Sequence, residues 1–182
     1  MLHKEQKYIF EIGESLGYDL RLIHHERPTI SCIEKLDLLK ENPDFSSWTL
    51  DRIVKALYFS RNGLPFLGVI TPEFGINVKP KEIFSKALKM SKGKAERYWI
   101  NPNSVPNGMT WGTCTPFPLI SSVGKEISNL IFVEHLPIND KLVDVSVGGT
   151  SEEMFRTSMH LPYTAIYEIL KRKFGERVSI FT

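Results

Sequence analysis

Residues 53–70 read IVKALYFSRNGLPFLGVI. Two runs rich in β-branched and aromatic residues, 53–59 and 64–70, flank Asn62-Gly63, a pair that tolerates positive φ at both central positions of a tight turn. The stretch therefore predicts a β-hairpin. Working outward, 4–16 and 29–41 carry apolar residues at helical spacing, with Thr29 a candidate N-cap after Pro28 and Asn42-Pro43 a stop. A further helix is predicted over 80–91, Pro80 suiting its first turn, and a closing helix from about Pro162 to Phe174, stopped by Gly175. Strands are predicted at 96–100, 130–134, 142–149 and 178–181. In the third of these Val143, Val145 and Val147 alternate with Asp144 and Ser146. Hairpins mixed with a few helices predict an α+β or α/β fold, with a mixed, largely antiparallel central sheet and flanking helices.

The chain has 182 residues, 42% of them hydrophobic, with 11 Phe, enough for one domain over 1–182 with a substantial core. Its longest apolar runs, such as LIFV at 130–133, fall far short of a membrane span, and MLHKEQKYIFEIGE lacks the uninterrupted apolar stretch of a signal peptide. A soluble, cytoplasmic protein with no membrane partner is expected. Cys32 and Cys114 are too few for a disulfide framework and match no zinc spacing, so a reducing compartment fits. Net charge is only +2, yet residues 79–97 hold seven Lys or Arg against two Glu. On a helical wheel Lys81, Lys86, Lys89 and Lys92 lie opposite Ile83, Phe84, Ala87 and Leu88, which makes either a solvated face or a surface for an anionic partner.

Lys55 stands out because both faces of its strand are apolar: Ile53, Leu57 and Phe59 share its parity, while Val54, Ala56 and Tyr58 occupy the other. Its amine either snorkels to water from an edge or is a cation held at a pocket mouth. The second candidate is GMTWGTCTPFPL at 108–119, a loop with no charge. Within it Gly112 to Pro116 either packs as a tight core turn or presents successive backbone N–H groups to a developing oxyanion while excluding water. Cys114 reads as a thiol nucleophile or as a buried, inert side chain. No GxGxxG, P-loop or GxSxG occurs, His24 and His25 are adjacent, and no metal or cofactor is called for.

Three segments taken in order, IVKALYF, GMTWGTCTPFPL and the stretch from Leu130 to Leu170, resemble the YbaK and prolyl-tRNA synthetase associated editing-domain family. They cover most of 48–174, leaving 1–47 as a divergent N-terminal helical part on an editing-domain core at 48–182. The first resembles that family's strand with a Lys-Thr-Leu-like motif, the second its G-x-x-x-P loop, and the third its late strand, glycine turn and closing helix. The resemblance implies a free-standing aminoacyl-tRNA deacylase that hydrolyses the ester of mischarged tRNA. Lys55 would meet the phosphate or ribose end of the substrate, and Gly112 and Pro116 would set the loop that positions the acyl carbonyl. Thr113, Cys114, Thr115, Gly148 and Gly149 would line the same cleft. Ala56 departs from the family's usual threonine.

Without a triad or metal motif, the chemistry expected from the resemblance is substrate-assisted. The free ribose hydroxyl beside the ester would orient water while loop amides hold the oxyanion. Lys81, Lys86, Lys89 and Lys92, with Lys171, Arg172 and Lys173, would follow acceptor-stem phosphates, and a synthetase is a second expected partner; DNA is not. Two other readings stay open: a non-catalytic module that binds tRNA or a synthetase, and a thiol hydrolase using Cys114. Residues 1–47 could also mediate oligomerisation.

Overall fold

The computed structural model describes residues 2–73 and 79–182. One mixed sheet organises them. The hairpin forms where 53–70 places it: β2 (Ile53–Arg61) and β3 (Leu64–Pro72) pair antiparallel, Val54 opposite Pro72 and Phe59 opposite Leu67, with Gly63 at φ 70° in the turn. The other strands are β1 (Arg21–His24), β4 (Trp99–Ile100), β5 (Ile127–Val133), β6 (Leu142–Ser146), β7 (Thr157–Pro162) and β8 (Val178–Phe181). Their order is β1-β7-β6-β2-β3-β5-β8, with β4 pairing β2 off that path. The pairs β1–β7, β6–β7, β2–β3 and β2–β4 are antiparallel, whereas β2–β6, β3–β5 and β5–β8 are parallel.

Side-chain parity gives the sheet two unlike faces. On the first, Val54, Ala56, Tyr58, Val143, Val145, Met159 and Leu161 meet α1 (Tyr8–Ser15) and α7 (Tyr163–Phe174) in one large core. The second face is covered in two separate patches. Toward β5 and β8, Ile83 and Phe84 of α3 (Pro80–Ala87) and Ala95 of α4 (Lys92–Ala95) pack on Phe59, Leu67, Val69, Ile131 and Phe181. Toward β6, Leu36 and Leu39 of α2 (Cys32–Lys40) pack with Trp48 on Ile53. The opening between the two patches is at Lys55.

Several boundaries differ from the sequence reading. The span 4–16 divides into a 3₁₀ turn at Lys4–Gln6 and α1. Helix 80–91 stops at Ala87, because Lys89 takes φ 51° and Ser91 caps a new short helix; Lys92 is thus in the first turn of α4 rather than on α3. Ser31, not Thr29, caps α2, its hydroxyl accepting the N–H of Glu34. Strands β1 and β7 have no counterpart in the sequence reading. The short α5 (Ile120–Lys125) and α6 (Glu152–Phe155) complete the set.

Ser31→Ala removes an exposed N-cap from the helix that covers one patch, and should lower unfolding free energy by about 1 kcal/mol, read as a lower urea midpoint at unchanged slope.

Candidate functional site

The parallel strands β2 and β6 stay together only briefly. Their register runs Ile53 to Asp144 and Val54 to Val145, and no further pair follows. The chargeless loop is anchored to both strands past that point: Ser146 Oγ of β6 donates to the Thr113 carbonyl at 2.9 Å, and Tyr58 of β2 donates its phenol to the Thr115 carbonyl at 2.9 Å. Gln6 Nε2 donates to the carbonyls of Phe117 and Val147, at 2.6 and 3.1 Å. Met109, Thr113, Thr115, Phe117 and Leu119 are buried, which explains the loop's apolar composition.

Where the strands separate lies a cavity of about 330 Å³. Its floor is β2 from Ile53 to Leu57 with Asp144 and Ser146 of β6; one wall is the loop from Trp111 to Cys114, and the other is the start of α2 with the residues before it. Lys55 and Gly112 therefore border one space. The Lys55 amine is not a free cation, because Glu73 Oε2, just past the end of β3, is 2.8 Å from Nζ, with both side chains about one-third exposed at 32% and 29%. A smaller hollow shares Lys55, Leu57 and Glu73 with Pro80 and Ile83, so the N-terminal end of α3 adjoins the cavity.

The sequence candidates separate into those that line the cavity and those behind it. Lys55, Gly112, Thr113 and Cys114 line it. Thr115, Pro116, Gly148 and Gly149 are buried and lie outside the lining set. Gly148 and Gly149 instead turn the chain, at φ 76° and 104°; a Cβ on Gly148 would come within 2.6 Å of Thr115 Cγ2, so this glycine lets the turn pack on the loop. The loop amides are also not equivalent. The Thr113 N–H already donates to the Thr110 carbonyl at 3.0 Å, whereas those of Gly112 and Cys114 have no protein acceptor among the described residues. Cys114 Sγ is 3.6 Å from the Thr110 carbonyl, and burial pushes its thiol up to about 11, which keeps it protonated at neutral pH.

Among the lysines, Lys86, Lys89 and Lys92 are exposed, while Lys81 is 3.2 Å from Glu96. Lys171, Arg172 and Lys173 belong to α7 on the opposite face of the sheet, so the two basic clusters do not form one surface.

Sequence reasoning missed the polar group at the deep end. Asp144 is 1% exposed, and its Oδ2 accepts from Ser158 and lies 3.1 Å from His160 Nε2. His25 Nε2 is 2.8 Å from Ser158 Oγ, and the Ser158 hydrogen is already committed to the carboxylate, so the imidazole donates here. This is not a nucleophile and base: Ser158 is fully buried and outside the lining set. Burial, reinforced by the charge of Lys35, lowers His25 to about 4. Burial alone would raise Asp144, but His160, Lys35 and Ser158 together hold it below its usual range. The only sequence trace of this group is the placement of Asp144 between valines. Among the described residues no group of three or more His, Cys, Asp and Glu could hold a metal ion, and no helix is long and apolar enough to cross a membrane.

No family model matches the chain, and no curated protein matches it in sequence. Among solved structures, the crystal structure of a hypothetical protein, APE2540, superposes with a TM-score of 0.56 at 18% identity, covering 94% of this chain and 97% of that one. A structure from epitope backbone grafting onto scaffold proteins by computational design gives 0.50 at 13% identity, covering 99% and 96%. At these identities the likeness is one of fold.

A buried histidine whose affinity for protons is depressed favours the folded state fully above its unfolded pKa, and that contribution is lost as pH falls toward its folded value. Between pH 6.5 and about 4 the protein should lose on the order of 2 kcal/mol through His25. Urea unfolding at both pH values, compared with His25→Gln, checks this: the variant should show a flatter dependence across that interval.

Proposed function

We propose that the protein is an aminoacyl-tRNA deacylase of the kind the sequence resemblance implies. The observation that carries the reading is the shared cavity, which is lined by Lys55, Gly112 and Cys114 together. Lys55 meets the phosphate or ribose of the terminal nucleotide, exchanging part of its contact with Glu73 for the ligand. The free N–H groups of Gly112 and Cys114 serve the acyl carbonyl oxygen. Water adds to the carbonyl carbon, negative charge builds on that oxygen, the bond to the ribose oxygen breaks, and the ribose oxygen takes up the proton. The neighbouring ribose hydroxyl orients the water, so the protein contributes position and a partly dry cavity. Exposed Trp111 at the rim supplies a stacking surface for the terminal base, and Lys86, Lys89 and Lys92 supply salt-sensitive contacts to phosphates.

One observation favours the alternative of a binding module without turnover: Lys55 already has a carboxylate partner at 2.8 Å. A panel of mischarged tRNAs separates the two readings. Wild type should deacylate at least one of them, and Lys55→Ala should slow that reaction about 100-fold, while Cys114→Ser should leave it within about threefold. Changing Lys86, Lys89 and Lys92 together to Gln should raise KM and flatten its salt dependence with little change in kcat. Binding of tRNA with no hydrolysis of any member supports the module. Hydrolysis that Lys55→Ala leaves unchanged removes the proposed role of the lysine.

A further inference from the structure

The deep end of the cavity holds two charges that do not satisfy each other. Lys35, one turn along α2 from Cys32, lines the cavity, and its amine has neither a hydrogen bond nor an ion pair among the described residues. Asp144 lines the same cavity, and only its Oδ2 is engaged, by Ser158 and His160; Oδ1 has no protein donor among the described residues. The Lys35 ammonium and the Asp144 carboxylate influence each other through space but are not in direct ion-pair contact. The cavity thus contains, close together, a donor that lacks an acceptor and an acceptor that lacks a donor.

Few small groups answer both. A carboxylate suits Lys35 but is repelled by Asp144, and an ammonium suits Asp144 but is repelled by Lys35. A methyl or isopropyl group displaces water from both and leaves both unmet, which a buried polar site penalises strongly. A hydroxyl accepts from the ammonium and donates to the carboxylate at once. The spacing agrees with this. Asp144 is in register with Ile53, two residues before Lys55 on the same face, or roughly 7 Å along the strand, which is the span of a small aminoacyl group with its ester.

We propose that Lys35 and Asp144 form a hydroxyl-reading subsite, so that the cavity selects seryl or threonyl groups over alanyl or valyl groups of matching shape. The nature of the acyl carrier rests on the deacylase reading, but the subsite itself does not require turnover. Burial lowers the Lys35 amine from the ordinary lysine range, opposed by Asp144, which is consistent with a cation short of partners.

The test is binding, measured by calorimetry with non-hydrolysable adenosines carrying threonine or valine through a 3′-amide. These two ligands differ by a hydroxyl in place of a methyl. Wild type should bind the threonyl compound at least about tenfold more tightly, and in Lys35→Met, checked for folding by thermal melt, the preference should shrink to about twofold or less. Equal binding of the two by wild type, or binding of neither, overturns the subsite; this comparison needs no variant to fold. A preserved preference in folded Lys35→Met overturns the role of the lysine. A threonyl preference without hydrolysis of any ester would sink the deacylase and leave the subsite standing.

Discussion

A parallel pairing that lasts for two residues governs this molecule. β2 and β6 join at Ile53–Asp144 and Val54–Val145 and then separate, leaving the β2 backbone between Val54 and Phe59 without a strand neighbour on that side until β4 pairs at Phe59 and Ser60. Buried backbone groups need partners, and the region between two diverging strands is a place where a ligand can be enclosed without breaking a sheet. Here the loop from Thr110 to Pro116 fills part of the opening, through the carbonyls that accept from Ser146 and Tyr58. What it leaves unfilled is the cavity.

The second face of the sheet follows from the same break. A continuous apolar face would have been covered by one helical layer, as α1 and α7 cover the first face. Instead Asp144, Ser146, Ser158 and His160 interrupt it, and two smaller patches form on either side of Lys55. The carboxylate of Asp144 is tolerated in its buried position because Ser158 and His160 meet it directly and Lys35 is near. Rings of Phe45 and Trp48, each 5.1 Å from the His160 ring, shut that network away from bulk water.

How much of this could be read from the chain depended on how local each signal was. The hairpin and the closing helix were legible because turn residues and apolar periodicity are written within a dozen positions. Lys55 and the chargeless loop were legible as anomalies, an amine among apolar neighbours and a loop without charge. Strand β7 was not, since TSMHLP places Ser158 and His160 on a buried face and so reads as irregular; what buries them is Asp144, 14 and 16 residues away, together with α2 and its aromatic neighbours. Strand β1 was hidden for a related reason, since its partner lies on β7, with side-chain bonds such as His25 to Ser158 spanning 133 positions. The Glu73 contact to Lys55 and the Lys35 position likewise come from chain segments whose proximity no spacing encodes.

That 133-residue separation also bears on how the molecule is made. One wall of the cavity, α2, is synthesised early, whereas the strands that carry Ser146 and Ser158 leave the ribosome more than a hundred residues later. Until then His25 lacks Ser158 and Lys35 lacks Asp144, and closing so long a span is slow relative to forming the β2–β3 hairpin. The pocket is consequently among the last parts of the protein to exist. During translation, the nascent chain carries one wall of the cavity well ahead of the strands that complete it.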